Sequence, residues 1–124
     1  MSNSPKKVLV VDDEPNIIMS LDFLIKKAGY DLFIARNGTE ALTIIEDERP
    51  DLIVLDIMMP DIDGFEVCRR VKSSEELKDI HVIFLSAKSR QGDIKKGLEI
   101  GADNYITKPF STKELLKEIK TILS

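Results

Sequence analysis

Four short β-rich apolar runs, each stopped by a polar group capable of chemistry, constrain this 124-residue chain more than any other feature. Val8-Leu9-Val10-Val11 runs into Asp12-Asp13, and Leu52-Ile53-Val54-Leu55 into Asp56. Val82-Ile83-Phe84-Leu85 runs into Ser86, and Tyr105-Ile106-Thr107 into Lys108. Helix-length segments separate the runs, so the strands should pair in parallel through right-handed crossovers. In open α/β sheets, ligands bind outside the carboxyl ends of the strands, where the strand order reverses. Three carboxylates, a hydroxyl and an ammonium would then meet at one edge.

The spacing predicts strands over Lys7–Asp12, Asp31–Ala35, Asp51–Leu55, His81–Leu85 and Asn104–Thr107, with a helix after each. Pro15 suits a first helical turn, where a missing N–H costs nothing. Ile17, Ile18, Leu21, Leu24, Ile25 and Ala28 form one apolar stripe behind it. The third and fourth strands read as unbroken apolar runs, as interior strands do when both faces are covered. The second alternates weakly and belongs at an edge. The order 2-1-3-4-5 is the known doubly wound solution for five βα units, a flavodoxin-like (βα)5 fold. Residues 1–124 read as a single domain with a frayed tail over 1–5.

Composition excludes several classes of function. A 43% hydrophobic and 32% charged chain fits a folded domain. A net charge of −4 gives no broad electrostatic reason to bind nucleic acid or an anionic membrane. No apolar stretch approaches the ~20 residues that span a bilayer. The lysines at Lys6-Lys7 follow no signal-peptide pattern. The one cysteine, Cys68, excludes an internal disulfide and suits a reducing compartment, so a cytoplasmic location is expected.

Asp12, Asp13 and Asp56 would face one crevice in that topology. Like charges about 4 Å apart repel by roughly 4 kcal/mol at an effective dielectric of 20. Such a cluster persists when a cation, a proton or a reaching lysine balances it. Oxygen ligands with open positions suit Mg²⁺, and the lack of nearby His or Cys in sequence argues against zinc. A single aspartate after a strand is as readily a helix cap or a turn residue. Capping does not account for an adjacent pair together with Asp56, Ser86 and Lys108 at three other strand ends.

These residues strongly resemble the receiver domain of two-component response regulators, over almost the whole chain. The stretches VLVVDDEP, DLIVLDIMMPDIDGFEVCRRVK and GADNYITKPF carry the likeness. The resemblance implies that Asp56 accepts a phosphoryl group from the phosphohistidine of a sensor histidine kinase or phosphotransfer protein. It implies Mg²⁺ held by Asp13, Asp56 and the backbone carbonyl of Met58, with Asp12 acting through water. It implies that Lys108 pairs with the phosphoryl oxygens, that Ser86 donates its hydroxyl to them, and that Tyr105 changes rotamer as Ser86 moves. Lys108-Pro109 is expected to be cis. The surface of the fourth helix, fifth strand and fifth helix is expected to pass the signal to an output domain or target protein. Met58 and Lys88 are expected to flank the water that removes the phosphoryl group.

Other residues point elsewhere. His81, at a strand start, reads as structural, and Cys68 as a small packed residue. Arg69, Arg70 and Lys72 read as a solvated helix face, and Asp63 as a cap for the third helix. In one subfamily the fourth-helix to fifth-helix face carries a charged dimer set. Asp93, Asp103 and Lys113-Glu114 resemble that set, but Ile94, Asn104 and Glu118 depart from it. A monomer or a weak phosphorylation-dependent dimer is therefore expected, with Ile94 exposed for a hydrophobic contact. Two other functions compete: a Mg²⁺-dependent phosphatase with an aspartyl-phosphate intermediate, and an interaction domain that has lost phosphorylation. Haloacid-dehalogenase-like phosphatases place a second Asp where this chain has Met58. The complete five-part set argues against the silent interaction domain.

Overall fold

The computed structural model describes residues 5–124. Of the expected tail, residues 1–4 lie outside the described residues; Pro5 and Lys6 are exposed and irregular. Five strands and five helices alternate: β1 (Lys7–Val11), α1 (Pro15–Lys27), β2 (Asp31–Ala35), α2 (Gly38–Glu48), β3 (Leu52–Leu55), α3 (Gly64–Ser73), β4 (His81–Ser86), α4 (Gln91–Ile100), β5 (Asn104–Thr107) and α5 (Thr112–Leu123). All neighbouring strands pair in parallel, in the order β2-β1-β3-β4-β5. Strand bounds differ from expectation by one residue: β1 stops at Val11, β3 starts at Leu52, and β4 runs on to Ser86.

Alternate residues of the central strands feed two separate cores. Leu9, Val11, Ile53, Leu55, Val82 and Phe84 face α2, α3 and the partly buried side of α4, where Ala41, Ile45, Phe65, Cys68 and Val71 are buried. Val8, Val10, Leu52, Val54, Ile83 and Leu85 face α1 and α5 through Leu21, Ile25, Leu115 and Ile119. Burying a Leu, Ile, Val or Phe side chain is worth about 1.5–3 kcal/mol relative to exposure. β1, β3 and β4, apolar on both faces, thus anchor the sheet, and β2, exposed at its start and half-buried over the next three residues, forms an edge. Cys68 is fully buried; burial pushes its thiol up to about 11, which keeps it an inert packing group.

Local sequence explains where the helices begin. Asn37, Asp63 and Ser111 each accept a hydrogen bond from the amide three residues on, at Glu40, Glu66 and Glu114. Glu40 returns the bond to the amide of Arg36, one residue before the cap. Arg69 and Arg70 pair with Glu66 on an exposed face, as expected. Lys72 does not belong to that solvated face. Its ammonium donates to the carbonyls of Lys78 (3.0 Å) and Ile80 (2.7 Å), tying α3 to the segment that enters β4.

Candidate functional site

Parallel register brings the acidic residues together. Val11 pairs with Leu55, so the next residues, Asp12 and Asp56, leave adjacent strands side by side. The amide of Asp12 donates to Ala35 and that of Asp56 to Val11, both at 3.0 Å, which extends the ladder one step past the strands. β1 is flanked by β2 and β3, so this is the point where the chain order reverses. One carboxylate oxygen from each of Asp12, Asp13 and Asp56 lies within 4.8 Å of the others. Asp12 and Asp56 are buried, and Asp13 is exposed at the mouth.

Lys108 arrives from β5. Its amide donates to the carbonyl of Ser86 at 2.9 Å, and the Lys108–Pro109 peptide bond is cis, as the resemblance implies. Its ammonium donates to Asp12 Oδ2 and Glu14 Oε1, both at 2.9 Å, and stands 3.5 Å from Asp56 Oδ2. Three carboxylates thus share one ammonium. Burial raises the Asp12 carboxyl pKa, partly opposed by the Glu14 amide and by Lys108. Burial lowers the pKa of Lys108, but the hydrogen bonds to Asp12 and Glu14, helped by the charges of Asp56 and Asp12, outweigh it and leave it raised. Glu14 was not legible as a partner of Lys108, because its role depends on two side chains meeting across 94 residues.

The two oxygens of Asp56 are inequivalent. Oδ1 accepts from the amides of Ile57 (2.7 Å) and Met58 (3.3 Å), while Oδ2 is the oxygen near Lys108. Ser86 is fully buried, and its Oγ accepts from the amide of Lys88 at 3.3 Å. The carbonyl of the same Lys88 accepts from the Tyr105 hydroxyl at 2.6 Å. One residue thus bridges Ser86 to Tyr105, whose buried ring lies 5.7 Å from that of Phe84. Met58 and Met59 divide: the Met58 side chain is exposed, and Met59 packs against the core.

His81 stands at the opposite end of β4, its Nδ1 3.2 Å from Asp103 Oδ1, while Asp103 Oδ2 accepts from the amide of Val82. Both residues thus join the starts of β4 and β5. The expectation for Ile94 needs correction. It is half-buried against the core, and Leu98, one turn on, is the large apolar residue that α4 exposes. The helix rotates Ile94 inward because Gly97 lies flat on the rings of Phe84 and Tyr105, where a Cβ would come within 2.9 Å and 3.0 Å.

A doubly wound sheet with a carboxylate pocket at its switch point, a hydroxyl and a lysine on the next two strand ends, defines a phosphoryl- or metal-binding class of α/β domain. The family pattern of the response regulator receiver domain matches residues 8–120, and the chain belongs to that family. It is 37% identical to the signal receiver domain of a signal transduction histidine kinase from Syntrophus aciditrophicus, covering 95% of this chain and 89% of that one, with a TM-score of 0.87. A CheY-like response regulator receiver domain protein from Methanospirillum hungatei is 32% identical, over 97% and 94% of the two chains, with a TM-score of 0.90. A structure described as the BeF3-activated DrrB receiver domain is 34% identical, over 96% and 97%, with a TM-score of 0.87. The chain is therefore a receiver domain of two-component signalling, a signalling module with an acidic pocket suited to a metal ion. No helix among the described residues is long and apolar enough to cross a membrane.

Proposed function

We propose that the 124 residues form one cytoplasmic receiver unit that takes a phosphoryl group onto Asp56 from the phosphohistidine of a sensor kinase or phosphotransfer protein. The observation that carries this reading is the asymmetry of Asp56. Backbone amides hold Oδ1, and Oδ2 faces the ammonium that can balance a transferred phosphoryl group. In the transfer, Asp56 Oδ2 bonds to phosphorus as the phosphorus–nitrogen bond breaks, and the imidazole leaves with the electron pair. An ionised carboxylate needs no base for this, so positioning and charge balance supply the catalysis.

The donor set fits Mg²⁺: clustered oxygens, no nitrogen or sulfur ligand, and more carboxylate charge than Lys108 can balance. Asp13, Asp56 and the Met58 carbonyl would hold the ion, with Asp12 acting through water; bound there, it neutralises charge on the transferred group. Lys108 turns from Asp12 and Glu14 toward the phosphoryl oxygens. Ser86 gives up the Lys88 amide to donate to them, and Tyr105 follows because both hang on Lys88. A ligand favouring one of two arrangements shifts the population, and the α4–β5–α5 face reports it to an output domain or target protein. The activated DrrB neighbour supports this reading, since BeF3 imitates a phosphoryl group.

Incubation with Mg²⁺ and a small phosphodonor, followed by intact mass measurement, is expected to show one phosphoryl adduct. Steady turnover of added phosphate esters would instead mark a phosphatase, and no adduct a silent interaction domain. The lifetime of the adduct gives a further expectation. The Met58 side chain is exposed beside Asp56 and cannot orient a water molecule well. Met58→Asn is expected to speed loss of the phosphoryl group by a few-fold, on the order of 1 kcal/mol in barrier. Decay as slow as in the parent protein would remove Met58 from that role.

A further inference from the structure

Asp61, in the loop between β3 and α3, accepts three long-range hydrogen bonds from α2. Its Oδ1 accepts from the amide of Gly38 at 2.9 Å. Its Oδ2 accepts from the amide of Thr39 at 2.9 Å and from the Thr39 hydroxyl. These bonds join the β3–α3 loop to the first turn of α2, 22 and 23 residues away. The own cap of α2, Asn37, serves only the amide of Glu40, so the two donors taken by Asp61 would otherwise face water.

The surrounding backbone is shaped for this join. A Cβ on Gly38 would lie 2.7 Å from the Ile62 carbonyl, so only glycine lets the helix end sit so close to the loop. At the root of the same loop, the Gly64 amide donates to the Ile57 carbonyl at 2.9 Å, and a Cβ on Gly64 would lie 2.2 Å from the Asp56 carbonyl. The loop over 57–63 is therefore closed at its base and pinned at its far side, and Met58 lies between the two. Asp61 and Thr39 are both exposed, so polar bonds rather than apolar burial make the far attachment. The Thr39 hydroxyl, then the amides of Ile62, Gly38 and Thr39, hold the Asp61 carboxyl well below the usual carboxylate range. The residue is fully ionised at working pH and faces the positive end of the α2 dipole.

We propose that Asp61 is a positioning residue for the phosphoryl site: it latches the β3–α3 loop to α2 and so fixes the Met58 carbonyl beside Asp56. This rests on the reading that Asp13, Asp56 and the Met58 carbonyl hold Mg²⁺. A group that orients a metal ligand from outside characteristically changes affinity by tenfold or more when removed. A cap that serves α2 alone would leave the ion's affinity unchanged.

The full chain is titrated with MgCl₂ alone, without phosphodonor, and followed by amide chemical shifts. Amide hydrogen exchange at Met58 and Ile62 is measured separately in EDTA. Asp61→Ala is expected to weaken Mg²⁺ binding about tenfold, and Thr39→Val, which removes one bond of three, about twofold. Asn37→Ala, which strips α2 of its own cap, is expected to leave the affinity within about twofold. Exchange at Met58 and Ile62 is expected to quicken about tenfold in Asp61→Ala and not in Asn37→Ala. Parent-like Mg²⁺ affinity in Asp61→Ala, or equal losses in Asp61→Ala and Asn37→Ala, would overturn the proposal. Should the parent protein not bind Mg²⁺, the reading of the site fails, and the latch is decided by exchange alone: faster exchange only in Asp61→Ala upholds it, unchanged exchange ends it. If Asp61→Ala does not fold, Asp61→Asn, which keeps one acceptor oxygen, takes its place in both measurements.

Discussion

Asp56→Asn is expected to lose the phosphoryl adduct completely and yet to unfold no more easily than the parent protein. The amide is a poor nucleophile and cannot form the acyl phosphate, so intact mass should show no adduct under conditions that load the parent. Stability should move the other way. Asn keeps an oxygen to accept from the Ile57 and Met58 amides. Lys108 keeps its two closer partners, Asp12 and Glu14, at 2.9 Å each. What is removed is a buried negative charge that shares its surroundings with two other carboxylates, against an attraction from Lys108 at 3.5 Å. The balance favours the neutral residue by roughly 1 kcal/mol. Urea unfolding in EDTA checks this. A loss of more than about 2 kcal/mol would make Asp56 chiefly a structural partner of Lys108.

That trade between function and stability explains why the site was so legible. Apolar runs such as Leu52–Leu55 announce buried strands because both faces must be covered, and a charged residue next in line is conspicuous. Parallel register then does the assembling: once β1 and β3 are neighbours, Asp12 and Asp56 must be too. The Asp63 cap follows from local backbone chemistry, which sequence exposes directly. Three contacts followed from none of these rules. Glu14 meets Lys108, Lys72 meets the carbonyls before β4, and Asp61 meets the end of α2. Each joins long or loop-borne side chains whose direction depends on tertiary packing, not on period or cap. Ile94 was misjudged for a related reason. The seat of α4 on Phe84 and Tyr105 at Gly97 sets its rotation, and a helical period alone cannot say which side of a half-buried helix meets the sheet.

Lys108→Met is expected to destabilise the fold by about 3 kcal/mol near neutral pH, in EDTA, while keeping most of the stem's packing. The ammonium is the cation that links Asp12, Glu14 and Asp56, and its side chain is almost as buried as theirs at Asp12 and Asp56. Removing it leaves Asp12 and Asp56 as unpaired buried charges, which costs more than the pair contributes when intact. The pH dependence gives the sign. In the parent, the folded pKa of Lys108 lies above its usual value of 10.5, so its stabilisation is complete below that value and is lost as pH rises through the folded pKa. Asp12 behaves oppositely: burial raises its folded pKa above 3.8, so its charge costs stability at neutral pH and the cost fades as pH falls through the folded value. In Lys108→Met the two contributions of Lys108 that lower the Asp12 pKa are gone, so the carboxyl protonates at higher pH than in the parent. The stability gap should therefore be widest near neutral pH and should narrow as acidification protonates Asp12 in the variant. Other carboxylates, Asp61 and Glu66 among them, weaken the fold on acidification in both proteins and cancel in the difference. Paired urea titrations across that range measure the gap. A constant difference would place the role of Lys108 in packing and not in charge balance.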